Sequence, residues 1–257
     1  MSPHKPASIT SSNLSPVVSH DISISDSELK EIGHRIYKNE CSNRIEKLTF
    51  WNPKEPFPSM GIAHFIWFPV GYTRPLGDSF SKVLVYFESN GIRLPEWLRK
   101  NNYQCPWKNR TAFYKDFNGS QMKYLRNLLK ETMSLQAKFI INKFQEQAER
   151  VLNAPSDTKT RQHVREQFDR VAHSPMGMYA LIDYVNFKGT GTMNSGDWGL
   201  LQVLENMWGR GVGRQALIDF SNSAKEVLRK RAHTSKTKKI DAKSLAGWYK
   251  RVDTYCQ

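Results

Sequence analysis

A mainly α fold with a small β-hairpin region, an α+β arrangement in one domain, is what the sequence predicts. Three observations predict it. From Ser25 onward, apolar residues recur at three- and four-residue spacing through most of the chain. One segment, 43–72, breaks that rhythm with aromatic and β-branched residues cut by Pro53, Pro56, Pro58 and Pro69. No internal repeat and no strong linker divides the 257 residues. Residues 25–257 therefore read as a single domain with a basic C-terminal helical part, split into two lobes around a cleft.

The elements follow in order. Residues 1–24 hold seven Ser and three Pro with few large apolar groups, and read as a disordered N-terminal segment. Ser25-Asp26-Ser27-Glu28 fits a capping box and starts the first helix. Leu29, Ile32, Gly33, Ile36 and Glu40 then share its apolar stripe. Residues 43–72 read as short strands or a hairpin. Residues 78–91 and 111–118 read as short helices around a loop-rich insert, 94–109. A long helix or a broken pair spans 120–153, closed by Ala154-Pro155-Ser156. Val164, Phe168 and Val171 mark another helix. Residues 177–187 are apolar on nearly every side, the pattern of a buried central helix broken by Gly189 and Gly191. Helices at about 197–208, 214–232 and 242–254 complete the chain.

Composition narrows the function. Apolar residues at 39% supply a packed core and exclude a disordered or collagen-like chain. No apolar run reaches the roughly 18 residues of a membrane-spanning helix. A net charge of +14 favours acidic partners: nucleic acid, an anionic membrane surface or an anionic wall polymer. Half of that excess sits in the last 33 residues, around Arg229-Lys230-Arg231 and Lys236–Lys239. This is a solvated basic face or a grip for phosphates and carboxylates. Cys41, Cys105 and Cys256 make no disulfide framework. The His and Cys residues lack metal-ligand spacing, so no metal or cofactor is implied. Gly209-Arg210-Gly211-Val212-Gly213 lacks the strand of a dinucleotide fingerprint and reads as a turn. The first residues do not form a signal peptide. Cytoplasmic residence, a removed leader and another export route all fit.

Three features in order carry chemistry. Glu40 closes an apolar helix stripe, where a carboxylate is seldom left unless paired or functional. A turn-rich β segment follows, ending in Ser59-Met60-Gly61-Ile62-Ala63-His64. Much later comes Ala180-Leu181-Ile182-Asp183-Tyr184-Val185-Asn186-Phe187-Lys188-Gly189, then a Leu200-Leu201 helix. This arrangement resembles the phage-type lysozymes of the lysozyme-like superfamily, over roughly 25–68 and 176–208. In that family a catalytic Glu ends the first long helix. A small sheet with a Gly-Ile-Gly-His strand follows, and an Ala-Leu-rich helix lines the cleft. Ala63 replaces the second Gly of that strand.

The resemblance implies a peptidoglycan-cleaving glycosidase with Glu40 as general acid and Ser59 helping to hold water. The family's second acid falls on Pro53. Glu55 is the nearest substitute, with Glu46 the other option. Without a second acid in reach, the resemblance leaves a single-Glu route such as lytic transglycosylation, or a protein that binds glycan without turnover. The chemistry agrees on general grounds. Glycosidic cleavage needs a carboxylic acid kept protonated near neutral pH, and an apolar setting does that. A second, solvated carboxylate activates water or steadies the oxocarbenium-like transition state. Trp51, Phe65, Trp67 and Phe68 offer faces for sugar rings. Tyr184, Asn186 and the Gly189–Thr192 turn would line the cleft.

Structural roles compete for each residue. Glu40 has Arg35 and Arg44 within reach as ion-pair partners. Glu55 suits an exposed loop, and Ser59 a plain turn. His64 suits a hydrogen bond beneath the hairpin as well as a substrate wall. The tryptophans suit the core, and Asn186 with Gly189 a helix C-cap. A cell-wall role would place the protein in the periplasm or outside the cell. The competing function is nucleic-acid binding by the basic C-terminal helices, although no helix-turn-helix, zinc-finger or RNA-recognition signature is present.

Overall fold

The computed structural model describes residues 24–72, 78–192, 198–234 and 238–257. The N-terminal segment read as disordered lies, but for Ile24, outside the described residues. The chain is mainly helical with one small antiparallel sheet, as predicted. Helix α1 spans Asp26–Cys41, and Ser25 caps it by accepting the Glu28 N–H at 3.2 Å. Ser42 ends it at φ 53°. A 3-10 turn, Ile45–Leu48, leads to β1 (Thr49–Phe50), β2 (Ser59–Met60) and β3 (Phe65–Ile66), paired in that order. Thr49 pairs with Met60, and Met60 with Phe65. The strands stay at two residues because the three prolines fill the first connection and a tight turn fills the second.

The remaining helices are α2 (Ser79–Ser89), α3 (Glu96–Tyr103), α4 (Arg110–Lys115), α5 (Ser120–Glu131), α6 (Met133–Asn153), α7 (Thr158–Ala172), α8 (Gly177–Lys188), α9 (Leu200–Asn206), α10 (Arg214–Thr234) and α11 (Lys238–Asp253). The long helix of 120–153 is the broken pair, interrupted at Thr132, whose hydroxyl donates back to the Leu128 carbonyl at 2.7 Å. The segment 94–109 is not all loop. Glu96 to Arg99 form a helical turn on Pro95, and the chain leaves it through Asn101 and Asn102 at positive φ. The helical turn is too short for a three- and four-residue periodicity to mark it.

Every residue from Gly177 to Val185 in α8 is buried, as its all-round apolar pattern requires. Buried apolar side chains form one continuous cluster from Ile32 in α1, through Met60 and Trp67, to Tyr255. The core is thus continuous from the first helix to the last residues. Gly33 lets α1 approach α6: a Cβ there would lie 3.2 Å from the Ala137 methyl. That close approach sets the end of α1 beside the sheet.

Candidate active site

The β2–β3 turn is built by its backbone. Gly61 sits at φ 72° and His64 at φ 50°, so the chain reverses within four residues. Gln136 of α6, fully buried, holds this turn in place. Its Oε1 accepts the Ile62 N–H at 2.9 Å, and its Nε2 donates to the Leu129 carbonyl at 2.7 Å. The turn thereby presents His64 to the end of α1. His64 Nε2 lies 3.2 Å from the Lys47 carbonyl. A carbonyl only accepts, so Nε2 carries the proton and donates it. Nδ1 faces Glu40, 3.8 Å from Oε2.

Glu40 does not pair with Arg35 or Arg44, which hold Glu31 and Glu46 instead. Its Oε1 accepts from Arg251 Nη2 at 2.7 Å. The side chain keeps 26% exposure. The apolar setting expected from the α1 stripe is therefore corrected: a guanidinium and an imidazole flank this carboxylate. Arg251 in turn is fixed by Asp183 of α8, accepting from Nε at 2.9 Å and Nη2 at 2.8 Å. Asp183 is 1% exposed. It also accepts from the Tyr255 hydroxyl at 2.8 Å and Asn39 Nδ2 at 3.2 Å. Burial works against the Arg251 charge. The hydrogen bonds and charge of Asp183 and the charge of Glu40 outweigh it and push the guanidinium pKa further up. Burial, then Asp183, raises the Tyr255 hydroxyl well above its ordinary value.

Behind Arg251 the Phe187 ring lies 4.7 Å from the guanidinium carbon. Lys188 Nζ sits among Phe187, Trp198 and Trp248 at 4.1, 4.2 and 3.5 Å from their centroids. This aromatic cage ties α8 to α11, the helix that carries Arg251.

His64 also lines a cavity of about 200 Å³ between the turn, α2, α6 and α8. Asn186 opens onto it from α8, and Lys143 and Gln147 from α6. Partial desolvation, then the neighbouring Lys82, lowers the Lys143 pKa, against an opposing pull from Glu146. Glu40, His64 and Asn186 are thus the predicted residues brought to one locality.

The others are placed elsewhere. Glu55 lines a separate hollow with Trp51, Lys108 and Arg110, which shares no residue with the surroundings of Glu40. Ser59 is half-buried in β2, on the face opposite Met60, with its backbone paired to Phe50 and Ile66. Trp51 is buried, donating Nε1–H to the Glu55 carbonyl at 2.9 Å. Trp67 is fully buried between Phe80 and Trp107, with centroids at 4.9 and 5.9 Å. The sugar-stacking role expected of both is corrected to core packing. Their apolar area outweighs the single N–H that each must satisfy, and a backbone carbonyl satisfies it. Tyr184 is likewise fully buried, donating to the Trp198 carbonyl at 2.8 Å, and holds the segment before α9 rather than lining a cavity. Gly189, at φ 84°, ends α8 and accepts the Leu200 N–H at 3.0 Å.

Sequence reasoning missed Asp183, Arg251, Tyr255, Asn39 and Lys143. For Asp183 a signal was present: it is the one charged residue between Gly177 and Phe187 in an otherwise apolar run, and a buried Asp needs partners. Arg251 carries no such mark among the C-terminal cations. Among the described residues no group of three or more His, Cys, Asp or Glu could hold a metal ion, and no helix is long and apolar enough to cross a membrane. Comparison with protein-family models, curated proteins and solved structures finds no match.

Proposed function

We propose, from the site itself, that the chain cleaves glycosidic bonds in an anionic polysaccharide of the peptidoglycan type, with Glu40 moving the proton. One observation carries the reading. A partly exposed carboxylate stands at the end of α1, beside the small sheet, held at Oε1 by Arg251 and faced at Oε2 by His64. Two carboxylates, Glu40 and Asp183, share one guanidinium, so one negative charge is left over. Four hydrogen bonds fix Asp183 in place, and Glu40 is the member with an open side.

In the proposed cycle the Glu40 carboxyl gives its proton to the glycosidic oxygen as the C1–O bond breaks. Arg251 then steadies the carboxylate, and the carboxylate takes the proton from the incoming nucleophile. Asp183 is sealed and Glu55 lies in another hollow, so neither stands beside Glu40 as a free second carboxylate. This favours a single-carboxylate route, in which the sugar's own C6 hydroxyl attacks and an anhydro-sugar leaves. Water attacking instead would give a reducing end. The cationic surface suits an anionic polymer.

The test is digestion of purified peptidoglycan by wild type and Glu40→Gln, with products weighed by mass spectrometry. Cleavage by wild type alone supports the reading, and a product lighter by one water marks the anhydro route. Normal cleavage by Glu40→Gln rejects it. A second reading, glycan binding without turnover, is favoured by the same Arg251 contact, which engages Glu40 at rest. Retention on insoluble peptidoglycan with no cleavage by wild type would select it.

A further inference from the structure

We propose that the loop between α9 and α10 docks on the surface of an anionic lipid bilayer. Trp208 and Val212 enter the headgroup boundary, and Arg210 and Arg214 meet the lipid phosphates. The inference stands apart from the glycan reading and uses no residue of that site. Its first support is exposure. Trp208 and Val212 are each 77% exposed, whereas the next large apolar side chain among the described residues, Val85, is 49% exposed. Of the seven tryptophans, all of them described, Trp208 alone is exposed. Two such side chains four residues apart exceed the scatter of single apolar residues that any surface carries.

The second support is that the loop is held in this pose. Met207 anchors its start, fully buried in the core. Arg170 of α7 donates Nε–H to the Gly211 carbonyl at 2.8 Å and is itself paired with Asp219 of α10. The hydroxyl of buried Ser174 lies 2.9 Å from the Gly213 carbonyl. The inner edge has no room for side chains. A Cβ at Gly209 would lie 2.6 Å from Asp219 Oδ2, and one at Gly211 would lie 2.5 Å from Gln215 Cγ. These glycines alternate with Trp208, Arg210 and Val212, all exposed, so the loop packs along one edge and displays its side chains on the other. The Trp208 ring leans on His163, with centroids 5.2 Å apart, which steadies the indole without covering it.

The third support is chemistry, which selects the occupant. From Met207 to Gln215 the chain carries two arginines and no carboxylate. Indole favours the boundary between headgroups and hydrocarbon, and guanidinium binds phosphate. Val212 has neither a polar atom nor a ring face, which matches hydrocarbon and not a sugar. The hollow behind the loop, about 630 Å³, is lined by Glu166 and Asp169 as well as Arg170 and Arg210. Its charge is mixed, so lipid is met at the tip of the loop and not inside the hollow. The net charge of +14 draws the whole molecule towards a negative surface.

The experiment is flotation of the full-length protein with vesicles of phosphatidylcholine, alone or mixed in equal parts with phosphatidylglycerol. Fluorescence with lipids brominated in their acyl chains reports depth. Wild type should float with the mixed vesicles, and the bromines should quench part of its tryptophan emission. Trp208→Phe should remove that quenched part. Trp208→Ala should weaken binding at least about tenfold, the scale of one buried large apolar side chain. Arg210→Gln should weaken it about fivefold, and on the mixed vesicles only. Both side chains are exposed, so circular dichroism should stay unchanged in each variant. Adsorption through the basic C-terminal helices would give flotation without quenching and without sensitivity to Trp208→Ala, which overturns the proposal. Failure to float with mixed vesicles overturns it as well. Self-association that Trp208→Ala abolishes, with no flotation, assigns the loop to a second copy of the chain and rejects the lipid. None of these outcomes depends on whether Glu40 cleaves glycan.

Discussion

Glu40 and Asp183 are both carboxylates on one guanidinium, yet their surroundings assign them different work. Asp183 is sealed and takes four hydrogen bonds, whereas Glu40 keeps an open side. Replacing Glu40 by Gln should therefore leave the fold intact and lower cleavage by about 10²–10⁴-fold, the range of a general acid. Near-native circular dichroism with that loss is the expected pair of results. Asp183→Asn should behave in the opposite sense. It leaves Arg251 without its main buried counter-charge and should cost roughly 3–5 kcal/mol in urea unfolding. The position of Glu40 was legible in the sequence because a carboxylate ending an apolar stripe is out of place. Its partner was not, since nothing local separates Arg251 from its neighbours Lys250 and Lys243.

At the level of elements, the β2–β3 turn shows how little sheet is needed when a helix holds the connection. Gly61 donates to the Leu48 carbonyl at 2.8 Å and abuts Gln136, whose Oε1 would lie 2.2 Å from an added Cβ. Gly61→Ala should accordingly cost about 1–3 kcal/mol from its positive φ, with more from displacing Gln136. Differential scanning calorimetry would read this as a lowered Tm, and Gln136→Leu should also lower it by orphaning the Ile62 N–H. Helix existence was readable from three- and four-residue periodicity, from Ser25 through Tyr255. The short helix α3 and the fate of the tryptophans were not. An aromatic residue looks the same in sequence whether it stacks on a sugar or fills a core, and only the arrival of Phe80 and Trp107 around Trp67 decides it.

Across the whole molecule, buried acidic hydrogens make stability depend on pH. Burial, with a smaller push from Glu40, raises the Cys41 thiol from 9.0 to about 12, and burial raises Cys105 and the Tyr184 and Tyr255 hydroxyls too. A folded-state pKa above the unfolded value means that the folded chain holds the proton longer. The stabilisation from Cys41 is therefore complete below about pH 9 and is lost as pH rises towards 12. Urea midpoints measured from pH 8 to 11 should fall steadily, and a stable midpoint across that span would contradict the burial of these groups. The net charge of +14 adds a second global expectation: binding to the proposed anionic polymer should weaken with salt, as counterion release gains less.

The ion pair that holds Glu40 joins residues 211 positions apart. At about 5–20 residues added per second, roughly ten to forty seconds separate the synthesis of Glu40 from that of its cation. During that interval Asp183 emerges as well, so a nascent chain carries two carboxylates destined for one place and nothing to join them. The contact between Glu40 and Arg251 can therefore form only after every residue from α1 to α11 has been made.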